Sequence, residues 1–272
     1  MFNGKTIVIT GGSSGLGKEL AQRFAKRGAN IALVARDETK LRTVQSSLMQ
    51  VLKEGRRAEI FSCDVSDADA VEKTMQSIVN TMGMPDMLIN SAGILRESHF
   101  EKQSVETFRE VMDINFFGTL HCIKAVLPFF RQKGGGRIVI VCSMAGLLGV
   151  FGYASYCASK HALSGLSGTI RSELKPHNII VQIVYPPEFE SPMVDELNTY
   201  RSEENRTIVQ TIPVLGINVV ADAVIKGMEK DKYEIIPSLT AKIMARIDRW
   251  FPALSRAVID FQIKKFFRGK NG

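Results

Sequence analysis

Tyr156 and Lys160, in Tyr156-Cys157-Ala158-Ser159-Lys160, stand four residues apart within a stretch (155–175) whose apolar spacing predicts a helix. Their side chains therefore share one face, about one turn apart. A free phenol titrates at about 10, too high for ready proton exchange at neutral pH, and a neighbouring ammonium stabilises the phenolate and lowers that value. Y-x-x-x-K alone is common by chance, so the chemistry needs company. Ser143 closes an apolar run (137–143), and the carboxyl end of a strand in an open α/β sheet faces the ligand crevice, where a hydroxyl can bond a substrate oxygen. Asn115 is an amide in an otherwise apolar helical stretch. It reads either as a buried hydrogen-bonding group or as a structural residue that bends its helix.

A second constellation opens the chain. Thr10-Gly11-Gly12-Ser13-Ser14-Gly15-Leu16-Gly17 follows the strand-like run 5–10 and precedes a helical one. Backbone N–H groups and a helix N-terminus at such a place can hold a pyrophosphate. The spacing G-x-x-x-G-x-G differs from the G-x-G-x-x-G dinucleotide fingerprint, but its position after the first strand favours nucleotide binding over a plain tight turn. An NAD enzyme places an acidic residue at the end of the second strand for the ribose hydroxyls. Here Arg36 stands there, with Asp37 next and Lys40 one turn on. Two cations suit a 2′-phosphate and point to NADPH; the alternative is an exposed arginine on a solvated helix face.

These groups need a scaffold. Apolar, β-branched runs at 5–10, 31–36, 58–65, 86–93, 137–143 and 179–186 alternate with helical patterns at 18–28, 38–54, 104–132 and 155–175. Continuous apolar strands are what a parallel sheet covered on both faces requires. The expectation is an α/β fold with a doubly wound parallel sheet of Rossmann type, one domain over 1–236 followed by a basic amphipathic segment at 237–272. A chain of 272 residues can bury one such core.

The net charge of +7 is concentrated at the end: from Pro237 onward eight lysines and arginines face two aspartates, leaving +6 there. With a near-neutral body and no zinc, helix-turn-helix or RNP pattern, nucleic acid is not an expected partner. The cysteines Cys63, Cys122, Cys142 and Cys157 lack metal-ligand spacing and read as buried free thiols, with no metal. The N-terminus lacks a secretory pattern and no run reaches the ~18 apolar residues of a span, so the expected location is cytoplasmic. Ile243, Ile247, Trp250, Phe251, Leu254, Val258 and Phe261 recur at helical steps among Lys242, Arg246, Arg249 and Arg256, with a break expected near Pro252. This amphipathic stretch suits a membrane surface through 240–272, or packing on the body or a second subunit.

In order, TGGSSGLG, Asp64-Val65, Asn90-Ser91-Ala92-Gly93, Asn115, Ser143 and YCASK resemble the short-chain dehydrogenase/reductase family, over residues 5 to about 192. The resemblance implies that Asp64 and Val65 bracket an adenine, that Asn90, Ala92 and Gly93 line the cofactor, and that Asn115, Ser143, Tyr156 and Lys160 form a catalytic tetrad. It further implies that Tyr156 protonates the oxygen of a ketone reduced by NADPH and that Ser143 stabilises that oxygen. Lys160 would hold the ribose and depress the Tyr156 pKa, and Asn115 would fix a water that reprotonates Lys160. A homo-oligomer is implied as well.

One departure is informative: the family usually has Pro-Gly after the sixth strand, whereas this chain reads Tyr185-Pro186-Pro187-Glu188-Phe189-Glu190-Ser191-Pro192. With FGYASYCASK and the placement of Arg36 and Lys40, that loop is similar to that of the 3-ketosphinganine reductases. This implies a lipid-like ketone substrate, cytosolic membrane association, and cofactor contacts at Gly11, Ser13, Ser14, Gly15, Leu16, Gly17, Arg36, Lys40, Asp64, Tyr156, Lys160 and Pro186. A 3-oxoacyl thioester reductase and a steroid or retinoid dehydrogenase would share the same tetrad. A non-catalytic, membrane-associated nucleotide-binding protein would have no need of it.

Overall fold

The computed structural model describes residues 1–209 and 213–270. Seven parallel strands form one sheet: β1 (Thr6–Thr10), β2 (Asn30–Ala35), β3 (Ala58–Ser62), β4 (Met87–Asn90), β5 (Gly136–Val141), β6 (Ile179–Val184) and β7 (Glu234–Ile235). Their order, β3-β2-β1-β4-β5-β6-β7, reverses direction between β1 and β4. The fold is thus the expected Rossmann type, and its ligand crevice lies at the carboxyl ends of those two strands. β1 and β4 are buried at every residue, because helices cover both faces.

On one face, α1 (Gly15–Lys26), α2 (Glu38–Met49) and α9 (Ile217–Glu229) bury Leu20, Phe24, Leu41, Leu48 and Val224. On the other, α3 (Ala68–Met82), α5 (Gly118–Lys133) and α6 (Ala154–Leu174) bury Ile78, Val126, Phe130 and Leu163. The helix expected over 104–132 is not continuous. α4 (Val105–Met112) passes through a π-helical turn at Asp113–Phe117 before α5 begins. The extra residue in that turn sets Asn115 fully inside the protein. α2 also stops short of its expected end near 54, since Gln50 to Gly55 form turns.

Past β6 the chain forms two short helices, α7 (Pro192–Asn198) and α8 (Glu203–Val209). Ser191 caps α7, accepting from the Val194 N–H, with Pro192 in the first turn where its missing donor costs nothing. At the C-terminus α10 (Leu239–Trp250) and α11 (Pro252–Lys270) meet at Phe251, where extended backbone and the following proline end the first helix. α10 packs against the sheet edge through the buried Ala241, and α11 contacts α8. Trp250, Phe251, Leu254 and Phe261 are exposed. Among the described residues, no helix is long and apolar enough to cross a membrane.

Candidate active site

Two neighbouring cavities open at the carboxyl ends of the strands. The smaller, about 220 Å³, is bounded by Gly11, Ser13, Ser14, Arg36, Lys40 and Asp64, with Val65, Ala92 and Gly93 completing its floor. The glycine turn is held by geometry that side chains would break. Gly11 has φ of +64°, and a Cβ on Gly17 would stand 2.4 Å from the Gly11 carbonyl oxygen. Thr10 Oγ1 accepts from the Ser91 and Ala92 N–H groups at 3.1 and 3.2 Å, locking β1 to the loop after β4.

The same region passes a test for a nicotinamide dinucleotide. Ser14 begins α1 without a side-chain cap, which leaves the first turn's N–H groups to an anion. Gly15 combines φ of +51° with open space where a Cβ would stand, so a ligand can approach the backbone closely. Asn90 is buried with neither amide atom hydrogen-bonded inside the protein, an expensive arrangement unless a ligand completes it. Leu16 is buried against the core side of the turn.

Around the rim, Arg36 lies 3.7 Å from Asp64, and Lys40 lies 3.5 Å from Asp37; the two cations are exposed and Asp64 is half-buried. Asp37 is occupied as the cap of α2: its Oδ1 accepts from the Lys40 N–H at 3.0 Å, and that bond holds its carboxyl below the usual range. Burial pushes the Asp64 carboxyl up, but bonds from the Ser66 hydroxyl and N–H at 2.7 and 2.9 Å outweigh it and leave a net lowering. Val65 is wedged beneath α5, where a Cβ on Gly118 would lie 2.6 Å from its side chain.

The larger cavity, about 350 Å³, has Ser143, Tyr156 and Lys160 at one end beside Gly93 and Pro186. Ser143 Oγ accepts from the Ala145 N–H at 3.1 Å, which fixes its rotamer at the mouth of β5. Lys160 Nζ donates to the Val141 carbonyl at 3.1 Å and stands 5.5 Å from the centre of the Tyr156 ring. Both groups are buried, and burial dominates each: it raises the Tyr156 phenol pKa and lowers that of the Lys160 ammonium. The lowering of the Tyr156 pKa expected from Lys160 is therefore not a property of the folded chain alone. The Ser143 hydroxyl offsets part of the rise.

Asn115 is held by its own side-chain bonds. Its Oδ1 accepts from the Ile94 N–H at 2.8 Å, and its Nδ2 donates to the Ile94 carbonyl and to Ser159 Oγ, both at 3.0 Å. The side chain stitches the loop after β4 to the helix that carries Tyr156 and Lys160. Asn115 thus both positions the site and shapes the helix, the two roles its sequence context left open.

Sequence reasoning places substrate selection in the segment from about 188 to 215 and does not anticipate the other walls. Apolar side chains of the 95–150 loops and of α7, including Leu95, Leu148, Val150 and Met193, line one side. Met244, Ile247, Val258, Ile259 and Gln262 of α10 and α11 line another, so the C-terminal segment reaches the same cavity as Ser143, Tyr156 and Lys160. Three of the four cysteines are buried and Cys157 is partly so. Burial raises the thiol pKa of each, Cys122 to about 12, and no cluster of metal-ligating side chains occurs among the described residues.

The family model described as short chain dehydrogenase matches residues 5–202. A 3-ketodihydrosphingosine reductase of Dictyostelium discoideum is 37% identical over 259 residues, covering 90% of this chain and 78% of the relative. The enzyme of that name from Bos taurus is 37% identical over 225 residues, 82% of this chain and 68% of its own. Among solved structures, a short-chain dehydrogenase from Sphingobium yanoikuyae in complex with NADPH superposes with a TM-score of 0.77 at 29% identity, covering 94% of each chain.

Proposed function

The chain belongs to the short-chain dehydrogenase family, and from that premise we propose that it uses NADPH to reduce 3-ketosphinganine to sphinganine. It is an oxidoreductase of the carbonyl–alcohol couple with a nicotinamide cofactor. The observation that carries the substrate reading is the larger cavity: a proton donor and a hydroxyl at one end, and an apolar passage walled by α7, α10 and α11 beyond them. That shape suits a polar head with a ketone at the catalytic end and an alkyl chain along the passage. The curated relatives named above act on such a molecule by name.

NADPH is favoured by Arg36 and Lys40 at the rim of the smaller cavity, with one oxygen of the neighbouring Asp37 engaged in capping α2. Gly11, Ser13, Ser14, Gly15 and Gly17 would carry the pyrophosphate, Asp64 and Val65 the adenine, and Asn90, Ala92, Gly93 and Pro186 the nicotinamide end. When bound, the cofactor supplies the hydride.

The chain's own groups handle the proton. A phenol whose pKa is raised by burial stays protonated at neutral pH, the form a donor to a carbonyl oxygen requires. Ser143 donates a second hydrogen bond to that oxygen as negative charge develops on it. The ammonium of Lys160, held beside the ring by the Val141 carbonyl, stabilises the phenolate left behind. Asn115 keeps this helix in register with the cofactor loop.

The exposed aromatic and basic face of α10 and α11 suits contact with an anionic lipid surface on the cytosolic side, where the substrate would reside. The test is NADPH oxidation by the purified protein in detergent micelles, with 3-ketosphinganine, a 3-oxoacyl thioester and a ketosteroid at matched concentration. Selective reduction of 3-ketosphinganine is the expected result. Selective reduction of either other ketone replaces the substrate assignment.

A further inference from the structure

The two C-terminal helices carry apolar side chains on more than one face. In α11, Ser255, Val258, Ile259 and Gln262 recur at steps of three and four and line the larger cavity. Leu254 and Phe261, seven residues apart, form a second stripe turned outward, 53 and 67% exposed. α10 repeats the arrangement: Met244 and Ile247 line the cavity, while Leu239, Ile243 and Trp250 are exposed. Val258 belongs to both faces of α11. It follows Leu254 by four residues and precedes Phe261 by three, which makes it their neighbour on the helix surface. It lines the cavity yet is 49% exposed, whereas the lining side chains Leu148 and Tyr156 are buried. The cavity therefore reaches the surface beside Val258, on the side that carries the outward stripe.

Charge indicates what covers that stripe. From Pro237 onward the chain has a net charge of +6. Lys265 and Arg268, four and seven residues beyond Phe261, flank the stripe on α11, and Arg246 lies between Ile243 and Trp250 on the face of α10; all three are exposed. Two copies meeting through this face would bring like charges together, and a nucleic acid would leave the apolar side chains in water. An anionic bilayer meets both demands, because aromatic and aliphatic side chains enter the boundary of the acyl region while long cations reach the headgroup phosphates.

We propose that the outward face of α10 and α11 docks on an anionic lipid surface and that the opening beside Val258 is the substrate portal, so that the ketone passes from the leaflet into the cavity without crossing water. Direct passage keeps the alkyl chain in apolar surroundings throughout, where withdrawal into water would be opposed at every methylene. Ser255 and Gln262, three residues before and four after Val258, give a polar head hydrogen-bonding partners at the threshold. This inference rests on the lipid-ketone reading of the cavity and adds the phase from which the ketone is drawn.

The experiment supplies the full chain with NADPH and 3-ketosphinganine carried in phosphatidylcholine vesicles, with and without phosphatidylserine. It follows NADPH oxidation together with the emission of Trp250, the chain's only tryptophan. The paired substitution Leu254→Ser and Phe261→Ser removes the outward stripe, and a short-chain amino ketone dissolved in water serves as the comparison substrate. The native chain should show a blue shift of Trp250 emission and faster turnover when phosphatidylserine is present. The paired variant should lose about tenfold in turnover of the vesicle-borne ketone, with the water-soluble ketone and NADPH affinity unchanged. An emission that does not shift in the native chain, equal losses on both substrates, or undiminished turnover of the vesicle-borne ketone in the variant overturns the portal. A blue shift that grows with protein concentration in the absence of vesicles overturns it too, in favour of a second copy of the chain. A native chain that docks yet prefers another vesicle-borne ketone to 3-ketosphinganine overturns the substrate assignment and supports the portal.

Discussion

The two ends of the crevice are built by opposite means. At the cofactor end, one consecutive turn, Thr10 to Gly17, forms the floor for the pyrophosphate, and its shape is set by backbone: a Cβ on Gly11 would lie 2.8 Å from the Ala92 nitrogen, and one on Gly17 would meet the Gly11 carbonyl. At the substrate end, the walls are ordinary apolar side chains from segments as distant as Leu95, Met193 and Ile259. Backbone-built sites tolerate almost no change of residue type, whereas a side-chain wall can be reshaped one residue at a time while the sheet stays intact.

That contrast can be broken at its hinge, where the largest effect is expected. Tyr156→Phe removes the proton donor shared by both halves, and turnover should fall by about 10²- to 10⁴-fold while NADPH still binds, as read by stopped-flow and fluorescence titration. A variant that retains turnover refutes the assigned role. Next in size, Arg36→Asp should weaken NADPH by about 10- to 100-fold and NADH far less, because only the former carries a 2′-phosphate. Equal weakening of both would remove Arg36 from the phosphate site.

At the other end, paired truncation of Ile247 and Ile259 to alanine should raise KM for a long-chain ketone at least about tenfold, the loss of roughly two substrate methylene contacts at ~0.8 kcal/mol each, and leave the NADPH dissociation constant where it was. An unchanged KM would mean that α10 and α11 do not bear on the substrate. The smallest effect lies away from the crevice, at the amino ends of β1 and β4. Asp86 accepts from the Thr6 N–H at 2.9 Å and pairs with Lys5 and Lys133 at 3.0 and 2.7 Å. Burial raises its pKa, but these partners outweigh burial and hold it below the ordinary value. A depressed folded pKa contributes stability that is present above the unfolded value of about 3.9 and lost as pH falls through the folded one. Asp86→Asn should therefore cost about 1–2 kcal/mol at pH 7, measured by urea unfolding, and flatten the acid limb of the stability profile.

The contrast also explains what could be read in advance. The glycine turn, Arg36, Ser143 and the Tyr156–Lys160 spacing are legible because each chemistry demands particular residue types at fixed separations. The alternation of apolar runs with helical patterns likewise gave away the parallel sheet. α3 carries a signal of its own in Asp67, which caps it by accepting from the Ala70 N–H, and in Val71, Met75, Ile78 and Met82 at steps of three and four, though no chemistry marks it out. β7, two residues long, carries almost none. The substrate walls were beyond reach for a different reason: Ile259 is an apolar residue like any other until the fold sets it over the cavity. Glu97 and Ser202 are 105 residues apart, and nothing local to either announces their bond. The π-helical turn at Asn115 is equally silent, since an uninterrupted helical pattern runs through it.

That turn has a further consequence for how the molecule opens. One amide group bonds the N–H and carbonyl of Ile94 on one side and the Ser159 hydroxyl on the other. Ser159 in turn donates to the Tyr156 carbonyl at 2.7 Å. The cofactor loop and the first turns of α6 therefore cannot loosen separately without stranding a buried amide, and they form one cooperative unit of local unfolding. Amide hydrogens on the two segments should exchange with a common opening free energy, and a ligand that clamps the loop will slow exchange in the helix as well.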